Sequence, residues 1–131
     1  EGRYSHLELY KSIDIALDPF PFNGATTTFE ALSMGVPVIA LLGKHFVDRV
    51  AASIVTHAGY PEFAVNTKKA YVELAKSLTN NVQNLNERRL TMRENLHKSK
   101  ICRGPTYAKN IEATLRDMWT TWCETGSYKG K

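Results

Sequence analysis

The sequence predicts an α/β chain: a partial Rossmann-like domain with a short parallel sheet flanked by helices, followed by a helical C-terminal region. Three observations predict it. Short apolar runs at residues 13–17, 38–42 and 63–65 are separated by stretches of helical periodicity. The runs are almost continuously apolar, as in parallel strands covered on both faces by crossover helices. There are only three of them, fewer than a complete doubly wound sheet carries, so half of such a domain is expected.

Residues 5–12 read as a short helix, with Leu7 and Tyr10 or Leu9 on one face. Ile13-Asp14-Ile15-Ala16-Leu17 is rich in β-branched residues and short enough for a buried strand. Two prolines and Asn23-Gly24 make residues 18–24 a loop. A helix resumes near Thr27 and runs to Met34, with Gly35 just past its end and Pro37 where a helix cannot continue. The second strand, 38–42, stops at Gly43. Val47, Val50, Ala51, Ile54 and Val55 then recur at i, i+3, i+4, i+7 and i+8, an amphipathic helix closed by Gly59.

After the third strand the texture changes to helix throughout. Asn66 or Thr67 caps a helix carrying Tyr71, Leu74, Ala75, Leu78 and Val82. Another spans 86–100. The last begins after Gly104-Pro105 and carries Tyr107, Ile111, Leu115, Met118, Trp119 and Trp122. The expected organisation is a βαβ half-domain at 1–66, closing helices of the same domain at 67–125, and a flexible tail at 126–131.

Composition limits the function classes. With 131 residues, 43% of them hydrophobic and 23% charged, the chain has enough apolar content for one globular core. No apolar run approaches the roughly 20 residues needed to cross a bilayer, so no membrane partner is expected. Cys102 and Cys123 have no metal or redox spacing, which suggests a reducing compartment, the cytoplasm. The chain starts Glu1-Gly2-Arg3-Tyr4, with neither an initiator Met nor a signal core, as expected of a processed chain or a piece of a longer one. Residues 1–66 hold 4 Lys+Arg against 7 Asp+Glu, and the remainder 13 against 6, giving the net +4. The basic residues of the second half alternate with acids, which reads as solvated helix surface and not as a nucleic-acid face. His45, His57 and His97 lack metal-ligand spacing.

The chemistry lies in the segment Asp18-Pro-Phe-Pro-Phe-Asn-Gly-Ala-Thr-Thr-Thr-Phe-Glu30. A strand ends, a glycine loop containing Asn23 and Gly24 turns, and three hydroxyls precede a helix. First-turn N–H groups have no intrahelical partner and lie at the positive end of the helix dipole. Thr26, Thr27 and Thr28 add hydroxyl donors, and together these groups make an anion site suited to a diphosphate. The same residues also fit a capping box, with Thr27 as N-cap and Glu30 reaching back to it. Asp18, ahead of Pro19, reads as a turn cap and not as one of a catalytic carboxylate pair with Asp14.

This block, together with Ala31-Leu-Ser-Met-Gly-Val-Pro-Val-Ile39 and Gly43-Lys-His-Phe-Val-Asp-Arg-Val-Ala-Ala-Ser53, resembles the C-terminal part of the catalytic region of O-linked N-acetylglucosamine transferases. SPINDLY-type protein glycosyltransferases and bacterial TPR-containing relatives share the pattern. The resemblance continues through Gly59-Tyr60-Pro61-Glu62 and, more loosely, to Trp119. It implies a GT-B fold, of which this chain is the second half of the C-terminal, donor-binding domain. It implies a donor substrate, UDP-N-acetylglucosamine, a protein acceptor, and no other cofactor or metal.

By the same resemblance Thr26 and Thr27 hold the diphosphate, and Glu30 accepts hydrogen bonds from the ribose hydroxyls. His6 packs on the base, and Arg3 lies near the ribose. The family's lysine contact to the diphosphate, its proton acceptor and its TPR region fall upstream of Glu1. Ala25 stands where animal members have a histidine near the diphosphate, and Leu9 where they have an arginine near the base. SPINDLY-type members with a similar threonine run use a guanosine donor carrying fucose. A protein O-fucosyltransferase therefore stays open as a reading, and so does a non-catalytic nucleotide-binding or interaction module.

Overall fold

The computed structural model describes the backbone of residues 3–127 and the side chains of residues 6–127. Helix α1 (Arg3–Leu9) passes into a 3₁₀ turn at Tyr10–Ser12 and leads to strand β1 (Ala16–Leu17). Helix α2 (Thr26–Ser33), strand β2 (Val38–Leu41), helix α3 (Val50–His57) and strand β3 (Ala64–Val65) follow. Three helices complete the chain: α4 (Lys68–Thr79), α5 (Val82–Lys98) and α6 (Gly104–Thr125). The sheet is parallel throughout, in the order β1-β2-β3, with Ala16 opposite Val38 and Ala40 opposite Ala64.

Central strand β2 is the most buried, as its unbroken apolar run requires. Helices α2, α3 and α4 all pack on it. The main core joins Leu32, Val36, Val55, Phe63, Met92 and Leu96, so α5 closes the same core that the βαβ units begin. A smaller alanine cluster, Ala40, Ala51 and Ala52, lets α3 approach β2 closely.

Both βα crossovers end in the same device. At Gly35 (φ +76°) the N–H of Val36 donates to Ala31 C=O and that of Gly35 to Leu32 C=O. At Gly59 (φ +100°) Tyr60 and Gly59 donate to Val55 and Thr56 in the same way. These are Schellman closures, which need a left-handed residue at the first position after the cap.

Several expected boundaries move. The first strand shortens to two residues, because residues 13–15 make no ladder pairs and Asp14 turns out to meet Arg89 at 2.7 Å. The helix expected from Val47 starts at Val50. Asp48 Oδ1 accepts the His45 N–H at 2.6 Å and tightens residues 46–48 into a 3₁₀ turn. Pro61–Phe63 is also a 3₁₀ turn, so β3 begins at Ala64. Val82 belongs to α5 and not to the preceding helix. Asn81 Oδ1 accepts the Asn84 N–H at 2.9 Å and starts α5 there, four residues ahead of the expected start. Thr67, as expected, caps α4 by accepting from Ala70 N–H at 3.1 Å. Gly104 opens α6 with Pro105 inside its first turn. Of the expected tail, Gly126 (φ +66°) closes α6, and residues 128–131 lie outside the described residues.

Candidate functional site

Helix α2 starts at Thr26, one residue earlier than expected, with Ala25 as its N-cap and no side chain capping it. The capping-box alternative is thereby corrected. Thr27 lies inside the first turn, and Glu30 reaches His6 on α1, Oε2 to Nε2 at 3.1 Å, instead of its own helix end. The first intrahelical bond runs from Phe29 N–H to Ala25 C=O, so the amides of Thr26, Thr27 and Thr28 precede it. Thr26 and Thr27 are exposed. An uncapped helix start of this kind leaves N–H groups and hydroxyls together for an anion.

The loop before α2 is tied at several points. Asn23 N–H donates to Val47 C=O at 2.9 Å, and Asn23 Nδ2 to Pro19 C=O at 3.1 Å. Gly24 N–H donates to Asp18 Oδ1 at 2.8 Å, which makes Asp18 the turn cap the sequence suggested. Thr28 Oγ1 donates to Gly24 C=O at 3.0 Å, and Thr28 is 2% exposed, so its hydroxyl closes the loop from inside. A Cβ on Gly24 would lie 2.5 Å from Thr27 Oγ1, so any other residue there displaces the Thr27 hydroxyl.

A cleft of about 520 Å³ opens on this loop, floored by residues 23–27 and walled by Phe22, Phe46 and Val50. Phe22 and Phe46 are exposed at 72% and 83%, and the lining of the cleft is mainly apolar. His6 and Glu30 form a polar pair at the α1–α2 junction, and Tyr10 stands edge-on to His6 with ring centroids 5.8 Å apart. The structure therefore brings together His6 and Glu30, and separately Asn23, Gly24, Thr26 and Thr27. The Arg3 side chain lies outside the described residues. His45 and His57 are spoken for locally, by Asp48 at 3.5 Å and by the Ser53 carbonyl at 2.8 Å.

Charge is sparse here. Burial pushes the Asp18 carboxyl up to about 6, against the lowering effect of the Gly24 N–H. Two arginines of α5 are engaged elsewhere: Arg88 meets Glu62 and Arg89 meets Asp14, each at 2.7 Å. The two oppositely charged halves of the sequence are thus partly stitched to each other.

The sequence model of glycosyl transferase family 41 matches residues 3–111. The chain belongs to glycosyl transferase family 41. Among family 41 relatives, SPINDLY from Eustoma exaltatum, named a probable UDP-N-acetylglucosamine–peptide N-acetylglucosaminyltransferase, is 38% identical over 92% of this chain. The Arabidopsis thaliana protein of the same name is 34% identical over the same share, and each match covers 13% of the relative. A Caenorhabditis elegans peptide N-acetylglucosaminyltransferase is 27% identical over 90% of this chain and 10% of its own length. A solved O-GlcNAc transferase variant from Thermobaculum terrenum superposes with a TM-score of 0.84 at 32% identity, covering 97% of this chain and 24% of that one. The family 41 chain described here thus spans about an eighth of the length of its curated relatives. Its mixed α/β architecture matches part of the GT-B fold.

Sequence reasoning undervalued two groups. The sequence marks Asp18 as a turn cap, while in the structure its carboxyl is also buried and its Oδ2 has no partner among the described residues. Phe46, an unremarked aromatic ahead of α3, walls the cleft from another segment. Neither carries a local signal, since each acquires its place only when β1 and β2 pair.

Proposed function

We propose that this chain is the donor-binding C-terminal segment of a glycosyltransferase that moves N-acetylglucosamine from its UDP donor to protein Ser/Thr hydroxyls. One observation carries the reading: an uncapped helix start with exposed Thr26 and Thr27 opens onto a cleft, and the His6–Glu30 pair links the same helix to α1. The names of the similar proteins supply the chemistry. Thr26, Thr27 and the first-turn amides of α2 bind the diphosphate and stabilise the charge it gains as the anomeric bond breaks. Glu30, a carboxylate, accepts from the ribose diol, and His6 lies against the base. On donor arrival the His6–Glu30 contact gives way to contacts with the nucleoside.

A guanosine diphosphate donor carrying fucose is the second reading. Ala25 and Leu9 in place of the animal histidine and arginine favour it. The acceptor site, the N-terminal Rossmann-like half and the TPR region belong, in this proposal, to the same longer polypeptide in the cytoplasm. The exposed stripe of α6 packs against that half. No helix among the described residues is long and apolar enough to cross a membrane.

Titration with UDP, GDP, UDP-N-acetylglucosamine and GDP-fucose, following the backbone amides of Gly24–Glu30, tests the site and selects the base. Saturable shifts with one nucleotide are expected. No shift at millimolar nucleotide overturns the donor-site reading. The purified 131-residue chain is expected to show no sugar transfer to peptide. Measurable turnover would place the whole machinery within it.

A further inference from the structure

Asp18 is the only buried acid among the described residues, 4% exposed, and the donor-binding reading gives it no task. Its backbone is clamped on both sides: its N–H donates to Ile39 C=O at 3.0 Å, and its C=O accepts the Tyr71 hydroxyl at 2.8 Å. Its side chain is committed on one side only. Oδ1 takes the Gly24 N–H, while Oδ2 and the neighbouring buried Asn23 Oδ1 have no partner among the described residues. Asp18 Oδ1, Thr27 Oγ1 and Thr28 Oγ1 all crowd the point where a Gly24 Cβ would stand.

We propose that Asp18 is a positioning residue for the donor diphosphate, its carboxyl fixing Gly24 so that the first-turn amides of α2 and the Thr26 and Thr27 hydroxyls converge on one anion. This rests on the donor-site reading above. The rigidly held backbone of Asp18 makes its side chain a fixed strut from β1 to the loop. Without it, Gly24 has the freest backbone in the segment, and only the Thr28 hydroxyl on its C=O still holds it.

The strut also couples binding to protonation. Among the described residues the groups facing Asp18 are neutral: the Tyr71 phenol from α4, Tyr10 from the turn after α1, and the Thr27 and Thr28 hydroxyls from α2. Strand β2 adds Val38, which is apolar. Among the described residues, the His6–Glu30 pair borders Tyr10, and Lys68 stands 5.3 Å from the Phe20 ring. An arriving diphosphate adds negative charge to a corner whose buried carboxyl has no paired cation among the described residues, and so favours the acid form, which still accepts the Gly24 N–H. Donor binding then takes up a proton, and affinity falls as pH rises through about 6.

The test uses the full-length protein and UDP-N-acetylglucosamine or GDP-fucose, whichever it binds, by calorimetry in two buffers of different ionisation enthalpy. The wild type is expected to bind on the order of tenfold more tightly at about pH 5 than at about pH 8, with proton uptake. Asp18→Asn, which keeps an acceptor for Gly24, should bind at least as well as the wild type at the higher pH, with smaller proton uptake and a flatter profile. Asp18→Ala should bind about tenfold more weakly across the range. Wild-type affinity in Asp18→Ala, or an unchanged pH profile in Asp18→Asn, overturns the proposal. If Asp18→Ala does not fold, the asparagine variant decides alone. Failure of the wild type to bind either nucleotide sugar overturns the donor-site reading and the role of Asp18 with it.

Discussion

Helices α2 and α6 differ in a way that their lengths would not suggest. The eight residues of α2 bury Thr28, Ala31 and Leu32, close on Gly35 and present an uncapped start to a cleft. The twenty-two residues of α6 bury none, and Tyr107, Ile111, Leu115, Trp119 and Trp122 all stand exposed along it. Length stabilises a helix through its own hydrogen bonds, but tertiary packing decides its place in the fold. The short helix is held on both sides, by β2 and by α5. The long one touches the rest of the chain mainly through the turn at Lys100–Cys102 that precedes it. An apolar stripe this large on an otherwise polar helix marks a surface meant to be covered. The proposal above covers it with the rest of the same polypeptide.

The contrast is open to attack at both ends. Phe63, fully buried and stacked on Tyr60 with centroids 5.5 Å apart, belongs to the core that holds α2. Phe63→Ala should destabilise the chain by about 3–5 kcal/mol in urea unfolding. A loss under about 1 kcal/mol would mean that the α/β core is not what holds the chain together. Gly35→Ala tests the closure of α2. It forces an alanine to φ +76° and sets its Cβ 2.7 Å from the Arg89 carbonyl on α5, so about 2 kcal/mol should be lost. A neutral result would show that α2 and α5 are free to separate. The smallest effect belongs to α6: replacing Trp119 and Trp122 together by alanine should leave the stability of the isolated chain within about 0.5 kcal/mol. A loss comparable to that of Phe63→Ala would erase the difference between the two helices.

The site divides along the same lines. Thr26, Thr27 and the glycine loop were legible because an anion-binding helix start is written in adjacent residues. The choice between capping box and open helix start was not. Thr27 and Glu30 satisfy the capping pattern in sequence, and only the approach of α1, 24 residues away from Glu30, gives Glu30 a different partner in His6. Thr28 was grouped with its neighbours, but a residue two places into the helix points inward, and its hydroxyl went to Gly24. The break between α4 and α5 was missed because Val82 continues the apolar period of the helix before it. Asn81, an N-cap by its side-chain bond, overrides that period.

What the sequence determined by itself was local and periodic: apolar runs for a parallel sheet, glycines for two Schellman closures, a threonine-rich helix start, and enough motif to place the chain in its family. Hydrogen bonding and hydrophobic periodicity act over a few residues, so a few residues suffice to read them. The tertiary structure alone decided which long-range partners met. It put Glu30 beside His6, Arg89 on Asp14 and Phe46 across the cleft, and among the described residues it enclosed one carboxyl, Asp18, where burial lifts it to about 6. Desolvation depends on everything packed around a group, and no window of sequence contains that.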